Sequence, residues 1–186
     1  MNNTFRSSTI FALAVTICLS LFYTGLAHGA SAQEIDIRVD TALEKFHKEV
    51  TGGKKLFNKA SGVLVFPKVI KAGFGIGGEY GEGALRIGGK TVDYYNTASA
   101  SIGFQLGAQA KIIIIVFLRD DALKSFRNSS GWEVGVDGSV ALITIGAGGT
   151  IDTTNIKDPI VGFVLGQKGL MYNLTIEGSK FTKIKK

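Results

Sequence analysis

The sequence predicts an α+β domain in which N-terminal amphipathic helices pack on a mainly antiparallel, curved or barrel-like β core. Three observations carry that reading. Apolar residues recur at helical spacing near the start of the domain, at Val39, Leu43, Phe46 and Val50. From Gly62 onward, β-branched runs are separated by glycine-rich breaks, the punctuation of consecutive strands. Between residues 98 and 108 the chain alternates strictly. Ala98, Ala100, Ile102, Phe104, Leu106 and Ala108 share one face; Ser99, Ser101, Gly103, Gln105 and Gly107 share the other.

Residues 1–32 read as a secretory signal peptide preceding a single domain, 33–186. Arg6 supplies the positive start, Ile10 to Phe22 the apolar run, and Ala30-Ser31-Ala32 the small-x-small cleavage signal before Gln33. A retained anchor is the alternative, although the run falls short of the ~20 residues of a helical span. Cys18 is the only cysteine and lies inside the apolar run, after Ile17 and not after the small residue a lipoprotein signal requires. The mature chain therefore has neither disulfides nor thiolate chemistry. One of the 21 basic residues and none of the 15 acidic ones falls in the leader, so the mature charge is 20 − 15 = +5. That balance suits a phosphate- or carboxylate-bearing partner, including an anionic lipid surface.

A first helix is expected over 35–50, with a capping box from Thr41 and Glu44, a Glu44–Lys48 pair and a stop at Gly52-Gly53. A second, Lys54 to Ala60, turns Leu56, Phe57 and Ala60 inward and Lys54, Lys55 and Lys59 outward. Strands follow at Gly62–Phe66, Ala72–Tyr80 and Ala84–Ile87. They are separated by Pro67 and by a turn at Gly81-Glu82-Gly83. Gly88-Gly89 turns the chain into Thr91–Tyr95. Lys111–Leu118 is continuously apolar after its lysine, the pattern of a strand buried on both faces. A short helix capped by Asp120 or Asp121 follows, with Leu123 and Phe126 inward and Gly131 as its stop. Strands at Glu133–Gly146, Ile160–Gly166, Leu170–Glu177 and Lys180–Ile184 complete the series. The first of these carries Val134, Val136, Val140 and Leu142 on one side.

Little in the chain suggests catalysis. Gly73, Gly75 and Gly78 satisfy G-x-G-x-x-G, but turn residues follow where a dinucleotide fold needs a helix start. Glu79 and Glu82 read as a solvated pair in a glycine-rich turn. His47 is the only histidine of the mature chain and reads as exposed. No cofactor and no metal is expected. Glycine at Gly73, Gly75 and Gly77 leaves one strand face bare, inviting close approach by another backbone or a flat ligand. Tyr80, Tyr94, Tyr95, Tyr172 and Trp132 lie near expected strand ends, suiting either a core edge or a lipid–water boundary. Basic residues cluster at Lys54, Lys55 and Lys59, at Lys68 and Lys71, and in the tail Lys180, Lys183, Lys185 and Lys186. They are not interleaved with aromatics on a nucleic-acid module.

The segments GVLVFPKVIKAGFGIGGEYGEGALRIGG, DYYNTASASIGFQLGAQAKIIIIVF, DDALKSFRNSSGWEVGVDGSVA and GLMYNLTIEGSKFTKI, in this order, closely resemble the SYLF domain, also called the Ysc84 actin-binding domain. The resemblance runs from about Ala42 to Ile184 and, with the leader, looks like a bacterial exported branch. It implies a non-enzymatic lipid-binding module of the cell envelope. Eukaryotic members bind phosphoinositides, and some bind actin. Membrane contact in relatives maps onto Ala42–Lys59, with Lys68 and Lys71 beside it. The candidate lipid-binding residues are Lys54, Lys55, Lys59, Lys68 and Lys71; the candidate membrane-facing residues are Leu43, Phe46, Leu56 and Phe57. The expected partner is anionic membrane lipid, with peripheral association in the periplasm or envelope and no nucleic acid. Two rival readings are a protein-interaction or structural module and a small outer-membrane β-barrel.

Overall fold

The computed structural model describes residues 29–103, 109–143, 151, 156–166, 169–170, 176 and 178–186, without the side chains of 72–76, 101–103 and 169–170. Residues 1–28 of the expected leader, the end of the alternating segment, the end of the expected strand Glu133–Gly146, most of the expected strand Leu170–Glu177 and Tyr172 lie outside the described residues.

Helix α1 (Ala32–Glu49) starts earlier than its spacing suggested. Ser31 is the N-cap, and its hydroxyl accepts from the Glu34 amide at 3.2 Å. Thr41 is therefore mid-helix, where its hydroxyl donates to the Ile37 carbonyl at 3.0 Å and caps nothing. Ile35 extends the apolar stripe one turn upstream, so Ile35, Val39, Ala42 and Phe46 are all buried. Helix α2 (Gly53–Phe57) follows a left-handed Gly52. A Cβ on Gly53 would stand 2.5 Å from the Phe46 ring, so this glycine is what lets α2 close against α1.

The main departure from expectation is β1 (Gly62–Ile87), one strand of 26 residues where three were expected. Its first half, Gly62–Lys71, pairs antiparallel with β3 (Gln109–Phe117); its second half, Gly75–Ile87, pairs with β2 (Lys90–Gly103). The register slips between Phe66 and Val69, where Pro67 has no amide to give to the ladder. Beyond this bulge the strand crosses over itself. A Cβ on Gly81 would lie 2.6 Å from the Lys68 carbonyl oxygen, and one on Gly83 only 2.1 Å from that of Val65. Gly81-Glu82-Gly83 is thus strand and not turn, its glycines kept bare by backbone packed against backbone. At Gly81 and Gly83 another stretch of backbone approaches closely. Gly75 and Gly77 sit opposite Gly103 and Ser101 in the β1–β2 ladder. Gly88 and Gly89, with φ of 57° and 79°, form the expected hairpin turn.

Helix α3 (Asp120–Asn128) and the strands β4 (Trp132–Glu133), β5 (Ala141–Leu142), β6 (Ile160–Gly166), β7 (Gly169–Leu170) and β8 (Lys180–Ile184) complete the described elements. The sheet order is β4-β8-β2-β1-β3-β6-β5, with β7 added to β6, and every pairing except β5–β6 is antiparallel. The sheet curls into a half-barrel. One apolar layer lies under α1 and holds Val65, Ile114, Val116, Val161, Phe163 and Leu165. The other holds Leu64, Phe66, Ile113, Ile115, Phe117, Phe126, Trp132 and Phe181. Successive residues of β3 therefore enter opposite layers, which is why the isoleucine run does not alternate. A membrane barrel would instead give one face of such a strand to lipid.

Two other expectations need correction. The strand expected over Glu133–Gly146 is interrupted after two residues. Gly135 takes φ 89°, Asp137 accepts from the Glu133 amide at 2.7 Å, and Val136 is 74% exposed while Val134 is buried. Arg119, whose side chain makes no capping hydrogen bond and instead donates to Asp121, is the N-cap of α3, and Asp120 and Asp121 occupy its first turn, where carboxylates complement the helix dipole. The helix ends at Asn128, where the Ser129 hydroxyl donates to the Phe126 carbonyl, before Gly131 is reached.

Candidate functional site

The lysines divide into those held by carboxylates and those left to solvent. Lys111 and Lys71 both meet Glu79, at 2.7 and 3.9 Å. Lys186 binds Glu82 at 2.8 Å, and Lys183 and Arg127 share Asp93. Lys54, Lys55, Lys59 and Lys68 are exposed and make no ion pair among the described residues. Of the five lysines expected to bind lipid, only Lys71 is thus tied to a carboxylate of its own chain.

Glu79 and Glu82 are not a solvated turn pair. They are three residues apart on a strand and so face opposite sides of it. Each is largely buried on its own lysine, with side-chain exposures of 12% and 14%. Glu82 also accepts from the Ala30 amide and the Tyr80 hydroxyl, both at 3.1 Å, and so ties the start and end of the described chain to β1.

The apolar set divides as well. Phe46 and Leu56 are fully buried, and Phe46 stacks on Phe57 and meets Phe163 edge-on. Their side chains complete the core under α1, which removes them from the membrane-facing set. Leu43 and Phe57 stay partly exposed and line a cavity of about 410 Å³ with Ala60, Val63, Asp40 and Arg86. Arg86 closes the base of this region. It reaches Asp40 at 3.0 Å and Asp36 at 3.5 Å, while Thr91 and Tyr94 donate to Asp36 at 2.7 and 3.0 Å. This network clamps α1 to the β1–β2 hairpin.

His47 is half-covered between Phe46 and Phe57, with ring centroids 5.6 and 5.0 Å away. Burial, and then the nearby Lys54 charge, holds its pKa below the usual histidine value. Tyr95 is buried with no partner for its hydroxyl among the described residues. Burial first, and then the Asp93 charge, pushes it up to about 12 against the opposing pull of Arg127. Trp132, stacked on Phe181 with centroids 5.9 Å apart, is core and not boundary. Tyr80 is half-exposed.

A second lined surface runs along the other flank of α1. Arg38, Thr41, Ala42 and Lys45 fall at i, i+3, i+4 and i+7, one face of the helix. Opposite them stand Pro67, Lys68, Ala110 and Ile112, enclosing about 390 Å³. The sequence reading missed this surface because Pro67 read only as a strand end. The helical spacing of Arg38 and Lys45 was the available signal.

Among the described residues no helix is long and apolar enough to cross a membrane, and no cluster of three metal-ligating side chains occurs. Residues 98–186 match the model of the Ysc84 family, described as Las17-binding protein actin regulator. This segment is similar to a Ysc84 domain. No curated protein matches the chain. The matched Ysc84 segment contains β3, α3 and β4 to β8, but β2 and β3 are paired along β1, which precedes it. The folded unit therefore reaches upstream of the match, and the unpaired lysines Lys54, Lys55, Lys59 and Lys68 belong to that upstream part.

Proposed function

We propose that the protein is a non-enzymatic module that, once exported, associates peripherally with an anionic lipid surface of the cell envelope. Lys54, Lys55, Lys59 and Lys68 supply the attraction. The observation that carries the reading is the division of the lysines, because a cation already held by a carboxylate has little left to offer a head group. Three exposed lysines on and just after α2, together with Lys68 on the other flank of α1, are unpaired among the described residues and contribute roughly 1 kcal/mol each near such a surface. Leu43 and Phe57 are the apolar residues still positioned beside them.

Vesicle sedimentation tests this. Replacing Lys54, Lys55 and Lys59 by Glu should weaken binding to phosphatidylglycerol vesicles by at least about 100-fold, from roughly 1 kcal/mol per lost charge. Lys124→Glu on α3 should have little effect. Equal loss from both variants, or none from the first, rejects the site. A protein partner is the second reading, favoured by the family's description as a Las17-binding actin regulator. An acidic protein would use the same lysines but would leave protein-free vesicles unbound.

A further inference from the structure

The flank of α1 facing Pro67 is a separate site, and we infer that it takes a single fatty acyl chain with a carboxylate head. This rests on the reading that the module's partners are lipids, but apart from Lys68 it concerns different residues. Among the described residues, Arg38, Lys45 and Lys68 are the only charged side chains lining the 390 Å³ cavity, and no carboxylate lines it. Between them the walls are Ala42, Pro67, Ala110 and Ile112. A smaller cavity of about 140 Å³, lined also by Lys45 and by Lys111, which is paired with Glu79, continues past Ile112 to Leu165 and Gly166. Cations around an aliphatic trough describe a binding partner with one charged end and one apolar length.

The cations are not equivalent, and this orients the chain. Lys45 donates to the Gly166 carbonyl at 2.8 Å and lies 3.8 Å from Glu49. Arg38 is paired with Glu34, while Lys68 has no ion pair among the described residues. The head group therefore lies at Lys68, and the tail runs over Pro67 and Ile112 toward Leu165. Arg38 and Lys45 are two helical turns, about 10 Å, apart, so the trough is long enough for most of a medium chain. An acidic peptide fits less well. β3 is already paired with β1 at Ala110 (opposite Ile70) and with β6 at Ile112 (opposite Leu165), and Pro67 has no amide. A peptide backbone would find at most a short stretch of sheet edge to join, whereas an acyl chain needs none.

The test is titration of the whole protein with laurate below its micelle concentration, followed by calorimetry and by amide NMR shifts. The inference expects saturable binding with shifts at Thr41, Lys68, Ala110 and Ile112. Lys68→Glu should weaken binding at least tenfold, and Thr41→Trp, an exposed position on the rim, should block it. Dodecanol should bind more weakly than laurate. No laurate binding, binding untouched by both variants, or equal displacement by polyglutamate would each overturn the inference. Vesicle sedimentation of the same sample keeps the two readings apart. Vesicles bound without laurate sinks this site alone; laurate bound without vesicles sinks the α2 surface alone.

Discussion

Replacing Gly83 by Ala tests the self-crossing of β1 directly. The added methyl carbon would lie 2.1 Å from the Val65 carbonyl oxygen, 2.7 Å from Phe66 Cδ1 and 2.9 Å from the Val65 carbonyl carbon. Two of the three neighbours are backbone, so no rotamer change relieves the clash, and the two halves of β1 must separate. Ordinary overpacking costs about 1–3 kcal/mol, and a backbone-on-backbone case belongs at or above the top of that range. At about 2–4 °C per kcal/mol for a chain of this size, a loss of about 3 kcal/mol lowers Tm by roughly 6–12 °C. Gly78→Ala is the matched control on the same strand. Its methyl would meet only Ser99 O, at an ordinary 3.6 Å. Removing glycine's entropy cost in a strand is worth roughly 0.5–1 kcal/mol, so this variant should be slightly more stable than wild type. The assay is urea and thermal unfolding of both variants by circular dichroism. Equal stabilities for Gly83→Ala and Gly78→Ala would refute the crossing.

Tyr95 gives an alkaline prediction. Its folded pKa is raised to about 12 from the ordinary 10, so the folded state keeps a proton that the unfolded chain releases. Stability should therefore fall as pH rises from about 10 toward 12, by up to about 3 kcal/mol. Tyr95→Phe should flatten that pH dependence in alkaline urea titrations and leave neutral stability unchanged or higher, because the hydroxyl has no partner to lose. Phe46→Ala should cost about 3–5 kcal/mol in the same unfolding assay, as expected of a fully buried ring and not of a membrane-facing one. A chain beginning at Gln33 lacks the Ser31 cap, and its α-amino charge opposes the dipole of α1. It should be about 1 kcal/mol less stable than one beginning at Gly29, measured as a Tm difference.

The sequence revealed most where one residue type had one structural use. The isoleucine run of β3 had to be buried on both sides, the Gly88-Gly89 turn had to close a hairpin, and the stripe of α1 had to face a core. It revealed least where distant segments meet. Nothing local separates Gly81 and Gly83 from turn glycines; they are needed because Lys68 and Val65 lie behind them, more than ten residues earlier in the chain. The site residues followed the same pattern. Lys54, Lys55 and Lys59 could be read from helical spacing as outward-facing. The groove beside Pro67 could not, since it exists only where α1 is laid against the bulge between β1 and β3.

Lys68 and Lys71 show how a cluster in sequence becomes two different objects in space. They are three residues apart, and a strand turns such residues to opposite faces. The bulge between Phe66 and Val69 fixes which faces those are. Lys68, beside the bulge, stands in solvent. Lys71, past it, meets Glu79, which Lys111 neutralises from 2.7 Å. Removing Lys71 would thus disturb an internal, partly buried ion cluster, whereas removing Lys68 would change only the field outside. The tail divides similarly, with Lys183 on Asp93 and Lys186 on Glu82, while Lys185 remains exposed. Net charge counts all of these equally, but a charged partner does not. What it meets is the cation left over after the β sheet has paired its own, and that remainder includes α2 and the rim of the Pro67 groove.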